Sequence, residues 1–163
     1  MKLLNYGCKM KFQEFINKSD EFDIKKVLKN IPKKHYNLIK DYKISFEGGS
    51  TLKKDSGHIG FIDEEKKLIK IAAPWYYARE FTLLHEIAHS VWKHVVSDEQ
   101  KKQWEKAVKS NKKDQKENLS KEASKSLDQN DEEIFCMTYA NYYSKHKILT
   151  YNTEDYYKFI ENL

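Results

Sequence analysis

Three residues within little more than one helical turn could do chemistry in this chain: His85, Glu86 and His89, in the run Phe81-Thr82-Leu83-Leu84-His85-Glu86-Ile87-Ala88-His89-Ser90. Residues four apart on a helix lie on one face, a turn apart, so both imidazoles can point at one ion. Two neutral imidazoles and one further protein ligand make an open zinc site. The Glu86 carboxylate, beside the first histidine, is placed to take a proton from water that such an ion activates. A bare His-Glu-x-x-His match also arises by chance, as two solvent-facing histidines on one helix face. The surrounding residues decide between these. Phe81, Leu84, Ala88, Val91 and Val95 recur at steps of three and four, forming an apolar stripe for burial. His85 and His89 flank that stripe, at the edge of a core where a cleft can form. Pro74 suits the first turn of such a helix, where its missing N–H costs nothing.

A third ligand must come from elsewhere. About forty residues past His89, the run Asn130-Asp131-Glu132-Glu133-Ile134-Phe135-Cys136-Met137-Thr138-Tyr139-Ala140-Asn141-Tyr142-Tyr143 reads as a second apolar helix with carboxylates in its first turn. Asn130 and Glu133 also have the spacing of a capping box, and acids favour helix starts in any case. With a zinc motif upstream, Glu133 is the favoured third ligand.

The elements that must position these residues follow from pattern. Residues 10 to 31 read as helical packing, with Ser19 or Asp20 as an internal cap and Ile31-Pro32 as the stop. Together with the turn around His35, read as a surface residue, residues 1–41 form a helical N-terminal packing segment. From Tyr42 the period changes. Tyr42–Phe46 alternates and ends at Gly48-Gly49, and His58–Ile62 and Leu68–Ala72 read as two further strands joined by the polar loop 63–67. His58 flanks a turn and reads as a surface residue. Residues 97–130 form a polar helical or mobile connection, in which Trp104 and Val108, then Leu119, Ala123 and Leu127, sit four apart. The charged stretch 110–118 between them reads as a solvated linker. Thr153–Ile160 fits a short terminal helix, with Tyr156, Phe159 and Ile160 docking on the core and His146 at the surface before it. The expected fold is α+β: a small mixed sheet of three to four strands, an active-site helix and a second, ligand-bearing helix.

The chain's 163 residues suit one domain, residues 1–163, with a core of its own. Charged residues make up 34%, and the net charge of +5 is spread through mixed-sign sequence, so nucleic-acid binding is not indicated. Cys8 and Cys136 form neither a metal pair nor a disulfide framework, and Cys136 sits in an apolar run as a small buried filler. No apolar run approaches the length of a membrane span, and the opening residues carry no signal-like segment, so the expected setting is cytoplasmic.

On these residues the chain resembles the small gluzincins built like the catalytic domain of anthrax lethal factor, a group that includes the clostridial Pro-Pro endopeptidases. Leu84-His85-Glu86-Ile87-Ala88-His89 is similar to that family's motif helix. Glu133-Ile134-Phe135-Cys136-Met137-Thr138-Tyr139-Ala140 resembles its downstream Glu-Phe-Phe-Ala-Glu-x-Phe-Ala helix, and Tyr157–Leu163 its aromatic closing pattern. The resemblance runs from about residue 42 to the end and implies a zincin-like fold, one zinc ion on His85, His89 and Glu133, and Glu86 as general base and acid. It departs at two places. The family's further Glu, four beyond the third ligand, is Met137 here, and its tyrosine, seven before that ligand, is Ser126. That tyrosine stabilises an oxyanion, so its loss bears on activity more than on metal binding, and Tyr139 and Tyr77 are the available substitutes. The lead-in Arg79-Glu80-Phe81-Thr82-Leu83-Leu84-His85 is similar to the ImmA/IrrE-type repressor-cleaving peptidases, whose downstream Glu-Ala-x-x-Phe-Ala would place its Glu where Phe135 stands. The function implied is a zinc-dependent endopeptidase acting on an extended peptide or protein substrate, which an edge strand can hold over the metal. The alternatives are the repressor-cleaving type and a zincin-like binding module without turnover.

Overall fold

The computed structural model describes residues 23–46, 60–72, 76–116, 130–145 and 154–163. Among them the fold is α+β, with six helices and one three-stranded mixed sheet. In chain order the elements are α1 (Ile24–Lys29), α2 (Lys33–Ile39), β1 (Lys43–Phe46), β2 (Gly60–Asp63), β3 (Leu68–Ile71), α3 (Tyr76–His94), α4 (Asp98–Lys116), α5 (Asp131–Tyr143) and α6 (Glu154–Glu161). The expectations for residues 10–22, Gly48-Gly49, His58, Pro74, Leu119, Ala123, Ser126, Leu127 and His146 lie outside the described residues. No described helix is long and apolar enough to cross a membrane.

β3 is the middle strand, parallel to β1 and antiparallel to β2. Its alternation is a half-buried strand's: Ile69 and Ile71 are sealed, while Leu68 and Lys70 are partly exposed. Ile69 pairs with Ile44 and Ile71 with Phe46, which gives the sheet one apolar face. The β2–β3 hairpin turns through residues 64–67, with Asp63 Oδ1 accepting from Lys66 N at 3.0 Å and Lys67 at φ 48° closing the turn.

α3 is the hub. It packs against α5 on one side, β2 and β3 on another, and α1 and α2 on a third. Burial is therefore wider than the single stripe its periodicity predicts. Leu83, Leu84, Ile87, Ala88 and Val91 are all inaccessible, while Phe81 and Val95 are only partly buried. α3 and α5 run antiparallel. At one end of the pair the buried carboxylate of Glu80 accepts a hydrogen bond from Lys145 N at 2.9 Å, just past α5. At the other end, the first turn of α5 meets the histidine-bearing turns of α3.

Two expectations are corrected. His35 is not a surface residue: it is fully buried, with its Nδ1 3.0 Å from the Tyr139 hydroxyl in a buried hydrogen bond. Lysines and a tyrosine around it suggest a wet face, but a partner distant in sequence seals this position. The stretch 110–118 is not a linker throughout, since residues 110–116 continue α4. No Gly or Pro interrupts residues 98–116, and a Glu105–Lys109 pair one turn apart supports the exposed face. The helical cap expected at Ser19 or Asp20 lies outside the described residues, and α1 starts after Asp23, whose Oδ1 accepts from Lys25 N and Lys26 N. Cys136 is the buried filler expected.

Candidate metal centre

His85 and His89 are brought together by helix geometry alone, with ring centroids 5.1 Å apart and nearly perpendicular planes. Glu133 is brought to them by α5. The position of α5 is set by α4, because the Trp104 indole N–H donates to the Asp131 carbonyl at 2.8 Å. Trp104 also packs edge-on against Phe135 and lies against Tyr156 and Phe159 of α6. The polar connection thus supplies the one buried aromatic that fixes where α5 begins. Asn130 caps that start, its side-chain oxygen accepting from Glu133 N at 2.8 Å. Cap and ligand readings of Glu133 are compatible, because the backbone N–H serves the cap while the side chain turns to the histidines.

There, Glu133 Oε2 lies 3.2 Å from His85 Nε2, and Oε1 lies 3.6 Å from His89 Nε2. One ligand-type atom from each of the three residues falls within 4.8 Å of the others. With bonds of 2.0–2.2 Å, tetrahedral coordination separates neighbouring ligand atoms by about 3.4 Å. The two carboxylate–imidazole separations, made by different oxygens of Glu133, are of that order. The cluster is also open, since the His85, His89 and Glu133 side chains are 19%, 24% and 37% exposed.

Both histidines face carboxylates. His89 Nδ1 donates to Glu132 Oε1 at 2.8 Å. A neutral His89 ring then carries its lone pair on Nε2, which faces a Glu133 carboxylate oxygen. Two electron pairs facing each other repel unless a positive charge lies between them or the ring takes a second proton. The carboxylates of Glu132 and Glu133 both reach this spot. The Cys136 thiol beneath is pushed well above its ordinary range, first by burial and then by the charges of Glu133, Glu132 and Glu86. The donor set, two imidazole nitrogens and one carboxylate, could hold a divalent metal ion.

Glu86 follows His85 in sequence and is nearly sealed, at 7% exposure. It lies against the start of β2. A Cβ at Gly60 would fall inside contact distance of Glu86 Oε1, 2.9 Å from its Cδ and 2.5 Å from Thr82 Cγ2. Glycine is needed there for close approach of strand to helix, not for backbone conformation. The hairpin that carries Gly60 is clamped to α3 by Glu64, which accepts from Ser90 Oγ at 3.1 Å, from His94 Nε2 at 3.0 Å and from Lys93. Burial pushes the Glu64 carboxyl upward, but those hydrogen bonds outweigh it and hold it below the usual carboxylate range.

The structure thus brings together His85, His89 and Glu133, while Glu86, next to His85 in sequence, has its carboxylate against Gly60. Glu132, Gly60 and Glu64 were missed as site residues. Glu132 had a signal, an acid next to the third-ligand candidate, but the cap and dipole accounted for it equally well. Of the two substitute tyrosines, Tyr139 is sealed with its hydroxyl on His35, and the Tyr77 side chain lies outside the described residues. No protein-family model, curated protein or solved structure matches the chain.

Proposed function

We propose that this chain is a zinc-dependent endopeptidase of the zincin type that hydrolyses a bond in an extended peptide or protein segment. The observation that carries the proposal is the convergence of ligand atoms of His85, His89 and Glu133 within 4.8 Å of one another, with both histidines on a helix that also carries Glu86. Zinc held by such a set supplies Lewis acidity, lowering the pKa of water and polarising a carbonyl oxygen. Glu86 accepts the proton as water adds to the scissile carbonyl carbon, and returns it to the departing amine as the C–N bond breaks. Its near-complete burial against Gly60 holds the carboxylate in one place between those transfers. Among the described residues β1 and β2 are the outer strands of the sheet, and an outer strand is where an extended substrate could pair.

Within this class, the spacing of the lethal-factor-like gluzincins is the better fit. Glu133 faces the histidines, while Phe135, where the repressor-cleaving type would carry its Glu, is sealed in the core against Trp92, Trp104 and Tyr139. A second reading, a metal-holding module that binds peptides without cutting them, is favoured by Met137 and by the engagement of Tyr139 with His35. A peptide-library digest with zinc-loaded protein separates the two. The enzyme reading predicts reproducible cuts that EDTA stops and that fall about 10²–10⁴-fold in Glu86→Gln, with zinc still bound. Wild-type rates from that variant, or no cuts from the wild type, would contradict it.

A further inference from the structure

We propose that Glu132 is the positioning carboxylate of the metal centre: by accepting the Nδ1 proton of His89, it fixes that ring's tautomer and orientation and thereby sets the affinity for zinc. This rests on the zinc reading above. In most metal sites a ligating histidine gives its other ring N–H to a carboxylate or carbonyl, which turns the lone pair toward the ion and makes the ring more basic. The gluzincin pattern supplies such an acid four residues beyond the third ligand, and that place is Met137 here. In this chain the acid comes instead from the residue immediately before the ligand.

The geometry gives each of the two neighbouring acids a separate task. Glu133 reaches the Nε2 atoms of both histidines, at 3.2 and 3.6 Å. Glu132 takes the opposite nitrogen of His89, at 2.8 Å, a charge-assisted hydrogen bond of ordinary length. Because Nε2 is the nitrogen turned toward Glu133, the proton must sit on Nδ1 for His89 to ligate there, and that is the nitrogen Glu132 holds. Free imidazole side chains have no such constraint. The competing view is an ordinary surface ion pair, since the Glu132 side chain is 41% exposed. Such pairs contribute little to folding. The two views therefore diverge in metal affinity and tautomer, not in stability.

The test compares metal-free wild type, Glu132→Gln, Glu132→Ala and Glu133→Ala, each titrated with zinc against a competing chelator. Expected are one ion per chain in wild type and both Glu132 variants, with affinity about 10–100-fold weaker in Glu132→Ala. Glu132→Gln falls between, because its amide oxygen still accepts the Nδ1 proton but carries no charge. Nitrogen-15 spectra of the metal-free proteins, taken where the ring is neutral, provide a readout independent of zinc. They should place the His89 proton on Nδ1 in wild type and Glu132→Gln and shift it toward Nε2 in Glu132→Ala. Unfolding midpoints of the metal-free forms should coincide. Equal zinc affinity in wild type and Glu132→Ala would overturn the positioning role while leaving the zinc reading intact. Loss of binding in Glu132→Ala as complete as in Glu133→Ala would overturn it too, by making Glu132 a ligand. A wild type that takes up no zinc would bring down both proposals.

Discussion

Helix α5 meets histidines at two places, and the two could hardly differ more. At its first turn, Glu132 and Glu133 face His85 and His89, whose side chains keep 19–24% of their surface in water. Two turns on, Tyr139 faces His35 in a sealed interior, with the His35 Nε2 left without a hydrogen-bond partner. Burial, then the charge of Lys34, lowers the His35 pKa to about 4, so the ring is neutral and structural. An imidazole becomes a candidate ligand when carboxylates and solvent access surround it. It becomes core material when a phenol and apolar groups do.

Exchanging the two kinds of damage is the strongest way to break that contrast. His89→Ala should remove zinc binding, weakening it at least about a hundredfold, while the metal-free fold keeps its unfolding midpoint. His35→Ala should do the reverse. It should bind zinc normally but lose about 2–4 kcal/mol of stability, from a cavity and an unpaired Tyr139 hydroxyl, as read by chemical denaturation. If His35→Ala also lost the metal, or His89→Ala unfolded, the two sites would not be separate.

A smaller effect sharpens the account of the open site. Gly60→Ala must displace the Glu86 carboxylate, because the new methyl group occupies its place. Turnover should fall about tenfold to a hundredfold, the scale of a misplaced catalytic group, with zinc affinity unchanged. Measuring kcat and zinc affinity on the same preparation checks both halves.

A pH-dependent effect sharpens the account of the closed site. The folded pKa of His35 is depressed, so between about 6.5 and 4 the unfolded chain binds a proton that the folded chain refuses. Stability therefore falls as pH drops through that window and levels off below it, by at most about 3 kcal/mol for this group. Metal-free wild type and His35→Gln, unfolded in denaturant across that range, should differ in slope by this contribution. Parallel slopes would show that the ring takes up its proton in the fold as readily as in the unfolded chain.

The same contrast explains what could be read from the sequence. His85, Glu86 and His89 were legible because their geometry is local: a helix carries residues four apart to one face whatever surrounds it. Glu133 was legible by need, since two imidazoles want a third donor and α5 offers acids at its start. The three strands and the hairpin loop were legible from alternation and turn residues, and each is found within two residues of its expected bounds over the described residues. Glu132, Gly60 and Glu64 were not, because each acts through a contact between separate elements that no local spacing encodes. His35 failed for the same reason, its neighbours in sequence being polar and its neighbour in space a tyrosine 104 residues away. Residues 110–116 failed differently: polarity pointed to a solvated linker where the absence of breakers let α4 continue.

The central claim, that α3 and α5 share one divalent ion, is tested most directly by zinc titration of stripped wild type beside Glu133→Ala. The account predicts one zinc per chain in the wild type and no comparable binding in the variant, with both proteins folded. Equal uptake by the two, or none by the wild type, would contradict it.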